Sequence, residues 1–273
     1  MNPVKLPAHY YQQFDADYTH DVPGEGFGGW KTADIELSPD HTALVVMHAW
    51  ECGTMDQWPG WRRCVEYHPR ALKILAEVFP PLLTAVRASS LPVFHVVGGG
   101  DYYSQLPGYK QTKKLAGPSP KHQAVTKDAV YKRLEKFRAS EVFVGKRNWP
   151  DVRKGFKKLG FAPEARPVGD EPIAEDGHQL AALCRAHGIN HLVYIGFAIN
   201  WCLLMSPGGM VDMGRYGVMC STIREAVTAV ENRETAREER EKQQALWRVA
   251  INSGFVFGAD DFTRAVRSLP AQR

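Results

Sequence analysis

Short apolar runs alternate along the chain with longer segments whose apolar residues recur at helical spacing. Ala43 to Met47 and Pro92 to Val97 are continuous and rich in Val, the pattern of strands covered on both faces. Between them Pro69 opens a helical pattern through Leu72, Leu75, Val78, Phe79, Leu82, Leu83 and Val86, which Pro80-Pro81 must kink or interrupt. Further on, Gln179 to His187 reads as an amphipathic helix, Leu192 to Ile195 as a third strand and Tyr216 to Cys220 as a fourth. Thr222 to Ile251 reads as one long charged helix with Glu238 and Lys242 at i,i+4 spacing, and Gly254 to Phe257 as a closing strand. Strands alternating with helices predict an α/β fold, three layers α/β/α, with a mostly parallel, doubly wound sheet. Residues 1–40 carry Tyr10, Tyr11, Phe14, Tyr18 and Trp30 among Pro, Gly and Asp without a clear period. They read as an irregular arm lying on the body or on a neighbouring subunit, ahead of a domain over 41–265.

Composition narrows the class. With 273 residues, 44% of them hydrophobic, the chain has enough apolar surface for a large core without disulfide or metal staples. Its five cysteines are an odd number with no CxxC and no zinc-finger spacing, so each is buried filler or chemistry. No apolar run approaches the roughly 18 residues of a membrane span, and the first thirty residues lack the apolar core of a signal peptide. A soluble, cytoplasmic protein is expected. The formal charge of +4 hides an asymmetry: residues 110–160 hold fifteen Lys and Arg against Asp128, Glu135, Glu141 and Asp151. The rest of the chain is acidic. That block carries Tyr109, Tyr131, Phe137 and Trp149 but no recognised DNA or RNA motif, so nucleic acid is not the expected partner.

In open α/β sheets ligands bind beyond the carboxyl ends of the strands. That rule selects His48-Ala-Trp50-Glu51-Cys52, after the first apolar strand, and Gly196-Phe-Ala-Ile-Asn200-Trp201-Cys202, after the strand at 192–195. In the second, a Cys that begins an apolar helix sits where unpaired N–H groups favour a thiolate or an oxyanion. Cys202 reads equally as a small residue filling space under that helix.

The stretch from Gly188 to Cys202 resembles the nucleophile segment of the isochorismatase-like cysteine hydrolases, the family that includes nicotinamidases and N-carbamoylsarcosine amidases. Ala43 to Met47 resembles its first strand, Arg70 to Val97 its first helix and second strand, and Gly214 to Gly217 with Glu225-Ala226 its later positions. The resemblance covers roughly 40–100 and 168–258, leaving a basic insertion at about 105–165. It implies Cys202 as nucleophile, a cis peptide between Ala198 and Ile199, and hydrolysis of a C–N bond through a thioester without a cofactor. It also implies a dimer or tetramer.

Two departures qualify it. Where the family places an Asp base, this chain has His48, and no Lys ends the strand near Gly169 to Ala174. A neutral imidazole can take a thiol proton, so Cys202 with His48 is a chemically competent pair. Lys146 is the stand-in for the missing Lys by residue type. The oxyanion is assigned to the backbone around Ala198, Ile199 and Trp201, and the pocket to Trp50, Glu51, His95 and Asn200. Asp101-Tyr-Tyr103 replaces the Asp-x-His metal motif of nicotinamidases, so no metal is expected. The substrate is expected to be a small molecule; the basic insertion reads as a solvated face or as a lid that would suit an acidic one. The other reading is a family member without catalysis, a binding or scaffold protein.

Overall fold

The computed structural model describes residues 1–54, 56–121 and 123–271. Its strands are β1 (Val4–Gln12), β2 (Gly29–Leu37), β3 (Thr42–Met47), β4 (Trp50–Glu51), β5 (Val93–Val96), β6 (Gly160–Phe161), β7 (Ile173–Ala174), β8 (His191–Phe197), β9 (Met219–Thr228) and β10 (Val256–Phe257). The helices are α1 (Pro59–Cys64), α2 (His68–Glu77), α3 (Phe79–Arg87), α4 (Pro107–Ala116), α5 (Ala129–Glu141), α6 (Trp149–Phe156), α7 (Gly177–His187), α8 (Met210–Gly214), α9 (Arg240–Asn252) and α10 (Ala259–Arg267). Eight strands form one sheet in the order β2-β1-β10-β9-β8-β3-β5-β7, and β4 pairs with β6 in a separate ribbon. The strands from β10 to β7 are parallel; β1 and β2 add an antiparallel edge.

Alternation along the central strands divides the core into two. On β3 and β8, Leu44, Val46, Val193 and Ile195 face one layer with α2, α3 and α10. Ala43, Val45, Met47, Leu192 and Tyr194 face the other, with α7, α8 and α9. Every residue of β3 is buried, which is why it reads as an unbroken apolar run. The architecture is therefore a three-layer α/β/α fold. α7 shows how local chemistry sets the ends: the Asp176 side chain accepts the Gln179 N–H at its start, and Gly188 ends it at φ +67. The break at Pro80-Pro81 falls at Val78, which separates α2 from α3.

Two expectations are corrected. Residues 1–40 are no irregular arm: β1 and β2 pair over nine residues and extend the main sheet through Ala8 and His9 against Phe257 and Val256. Leu6 and Ala8 supply the buried face, and Pro7 between them masks the strand pattern. The long helix at 222–251 does not exist either. Residues 219–228 are the ten-residue β9, and α9 begins only at Arg240. Lys242 lies in α9 itself, while Arg224 and Glu225 lie where the register against β8 shifts, between Tyr194/Thr222 and Gly196/Val227. There Glu225 turns outward and accepts the N–H of Ala259, the first residue of α10.

Candidate active site

β3 and β8 are hydrogen-bonded neighbours with Met47 opposite Gly196, so His48 and Phe197 leave the sheet side by side. His48 adopts φ +50; its N–H donates to the Val96 carbonyl (3.1 Å), and the Trp50 N–H donates to the His48 carbonyl (3.0 Å). This tight turn stacks the His48 ring on Trp50, with centroids 4.7 Å apart. Gly98 leaves room for the imidazole, since a Cβ there would stand 3.2 Å from Nε2. The Trp50 indole donates to the Tyr102 hydroxyl (2.8 Å). Burial lowers the His48 pKa to about 4, so the ring is neutral at pH 7; its Nδ1 is buried without a partner.

Beyond this turn lies a cavity of about 360 Å3 whose wall includes His48, Trp50, Glu51, Arg62, Tyr67, His68 and Phe197. Cys52 and Glu164 also face it. Sequence reasoning placed His48, Trp50 and Glu51 here and missed Arg62, Tyr67 and His68, which the 52–68 loop and α1 carry back over the strand ends.

Cys202 lies in a π-helical turn, Ile199–Leu203, directly after β8; the Trp201 and Leu203 N–H groups both donate to the Ala198 carbonyl (3.2 and 3.1 Å), so the Trp201 N–H expected at the oxyanion is already bonded. Burial raises the thiol pKa; contacts with the Ser206 hydroxyl and the Ala198 backbone pull it the other way. Burial also pushes the Tyr67 hydroxyl up, with added repulsion from Cys202 and Cys52. Cys202 itself does not line the cavity, and no hydrogen bond joins it to His48. The cis peptide is Phe197–Ala198, one bond earlier than expected.

The remaining candidates separate. Lys146 is exposed, follows α5 and does not reach the cavity wall. The insertion does reach the nucleophile segment through another residue, Phe143, which meets the half-exposed Trp201 edge to face at 5.5 Å, and it touches α1 where the Val144 carbonyl accepts from the Cys64 thiol at 3.1 Å. His95 is fully buried on β5, and its Nε2 bonds Glu171 (2.8 Å) instead of facing the cavity. That carboxylate also takes Arg87; these hydrogen bonds outweigh its desolvation and hold its pKa near about 2. Glu175, not a Lys, follows β7, and its carboxylate accepts from Tyr103 and Tyr109. Among the described residues no three His, Cys, Asp or Glu side chains converge as a metal site requires.

Asn200 is a strut and does not line the pocket. Its Nδ2 donates to the Val230 carbonyl (2.8 Å) and its Oδ1 accepts the Val230 N–H (2.9 Å), tying the Cys202 turn to the exit of β9. Asn200→Ala leaves both backbone groups unpaired in a half-buried place and is expected to cost about 2 kcal/mol, read as a lower urea midpoint.

No protein-family model and no curated protein matches the chain. Among solved structures it is similar to an isochorismatase-like hydrolase from Alkaliphilus metalliredigens, at 15% identity over 82% of this chain and 97% of that one, with a TM-score of 0.49. It is similar to a cysteine hydrolase from Pseudomonas syringae pv. phaseolicola at 14% identity over 85% and 95%, with a TM-score of 0.48. N-carbamoylsarcosine amidase from Thermoplasma acidophilum follows at 17% identity over 81% and 97%, with a TM-score of 0.38. The solved structures to which this chain is similar thus include isochorismatase-family and cysteine hydrolases, the family whose nucleophile segment Gly188 to Cys202 resembles.

Proposed function

We propose that this protein hydrolyses a C–N, amide-like bond with Cys202 as nucleophile. The placement of that cysteine carries the reading: it sits in the first turn after β8, a central parallel strand whose last residue, Phe197, lines the cavity, with His48 leaving the neighbouring strand. The neutral His48 takes the thiol proton as sulfur attacks the carbonyl carbon, and the N–H groups of Ile199, Asn200 and Cys202 receive the oxyanion. The C–N bond breaks as the imidazolium protonates the leaving amine. Water, deprotonated by His48, then splits the thioester and releases the acid and the thiol. In the resting structure the pair is not made, so the reaction requires the thiol to turn from Ser206 and Ala198 toward His48. The same resting geometry, with a raised thiol pKa and no carboxylate or Lys at the sulfur, favours a binding protein as the second reading.

Alkylation by iodoacetamide, mapped by mass spectrometry, together with ammonia release from a panel of small amides and N-carbamoyl compounds, separates the two. Expected are alkylation of Cys202 ahead of Cys184 and Cys220, slowed about tenfold in His48→Ala, and turnover reduced at least about 100-fold in Cys202→Ser. Alkylation of Cys202 no faster than of Cys184, with no turnover by the unaltered protein, leaves the binding protein; turnover unchanged in Cys202→Ser removes Cys202 as the nucleophile.

A further inference from the structure

We propose that the cavity beside β3 recognises a monoanionic carboxylate, and that Arg62 and His68 bind it. Arg62 lies in α1, and its Nη2 donates to the Gly53 carbonyl. Its Nε and Nη1 are buried without an acceptor, and among the described residues no carboxylate lies within ion-pair distance of it. A guanidinium stays charged at any ordinary pH, so this is a buried, unpaired cation. His68, the first residue of α2, is 7% exposed, and its Nε2 has no partner. His48 contributes Nδ1, also unpartnered.

Buried polar groups without partners are few in native proteins, and each costs about 1–3 kcal/mol. Among the described residues seven such side-chain atoms occur, and four of them belong to these three residues on one cavity wall. The clustering at an open volume marks a place where a ligand supplies the missing acceptors. A modest rotation of Arg62 or His68 presents their nitrogens to it.

The charge of the ligand follows from the rest of the wall. A single cation and neutral imidazoles suit one negative charge, whereas Glu51 and Glu164, which also face the cavity, repel a dianion such as phosphate. Trp50, Tyr67, Leu72 and Leu75 supply an apolar surface for the ligand's body. The inference rests on the cavity being the site of the function proposed above, but not on Cys202 being a nucleophile, and binding alone tests it.

Calorimetric titration of the full-length protein with benzoate, phenylacetate and propanoate, each beside its own amide, and with inorganic phosphate provides the test. The acids are expected to bind at least about tenfold tighter than their amides, with phosphate unable to displace them. Arg62→Met loses that preference, and Cys202→Ser retains it. If Arg62→Met does not fold, protection of Arg62 from phenylglyoxal in the unaltered protein by benzoate, and not by benzamide, reports the same contact. Equal binding of acids and amides, displacement by phosphate, no carboxylate binding, or full affinity in Arg62→Met overturns the proposal. Absence of turnover in the unaltered protein with the acid preference intact removes the hydrolase reading alone, and unchanged turnover in Cys202→Ser removes only Cys202 as its nucleophile.

Discussion

Gly196→Ala is expected to unfold the protein or nearly so, at a cost of at least about 4 kcal/mol against the 5–15 kcal/mol that typically holds a domain together. Gly196 has φ +128, a region that side-chain-bearing residues avoid. A Cβ there would lie 1.9 Å from the Met47 carbonyl oxygen and 2.9 Å from its carbon. Both obstacles are backbone of a central strand buried on both faces, so no rotamer change relieves the clash. The only escape is to part β3 from β8 at the point where His48 and Phe197 leave the sheet. Gly214→Ala is the matched control: its Cβ meets nothing within 4 Å and its φ is ordinary, at the end of α8. That variant is expected to keep the urea midpoint of the unaltered chain or to exceed it slightly. A Gly196→Ala protein that accumulates normally and unfolds at an unchanged urea concentration contradicts the packing at the strand ends.

The glycine also shows why the site could be read from sequence only in part. β3, β5, β8 and α7 are legible because burial on both faces, or on one helical face, writes itself as an apolar run or a helical period. Once the strands are placed, the carboxyl-end rule selects His48, Trp50, Glu51 and Cys202. The β1–β2 hairpin is illegible because Pro7 interrupts a strand with one well-buried face, and β9 because its register shift spends Arg224 and Glu225 on a strand. Arg62 and His68 carry no spacing signal at all. They share a cavity wall with His48 only in the folded chain, a proximity that local sequence does not encode. Lys146 illustrates the opposite error: residue type alone suggested it, and the structure leaves it exposed on the insertion while Phe143 makes the contact with the nucleophile segment.

Mild acid is expected to destabilise the protein steeply. His48, His68 and His191 each have a pKa lowered from 6.5 to about 4, in every case chiefly by burial, which penalises the charged ring. For His68 the Arg62 cation adds to the effect. Between pH 6.5 and 4 the unfolded chain binds protons at these rings that the folded chain refuses, so stability rises with pH across that window and is lost as pH falls through it. At pH 5 each ring then costs about 2 kcal/mol relative to pH 7.5, and three together cost on the order of 5 kcal/mol, much of what a typical domain possesses. Glu171 acts in a lower window: its depressed pKa, about 2, withdraws stability only as pH falls below the ordinary carboxylate range near 4.5. Urea midpoints measured at pH 7.5, 6.5, 5.5 and 5 therefore report the histidines. His95 and His9 are also lowered by burial and add to the slope, so His68→Gln is expected to remove part of it and not to abolish it. A stability independent of pH from 6.5 to 5 means that these rings are not buried and neutral, and with that the environment assigned to His48 and His68 at the cavity falls.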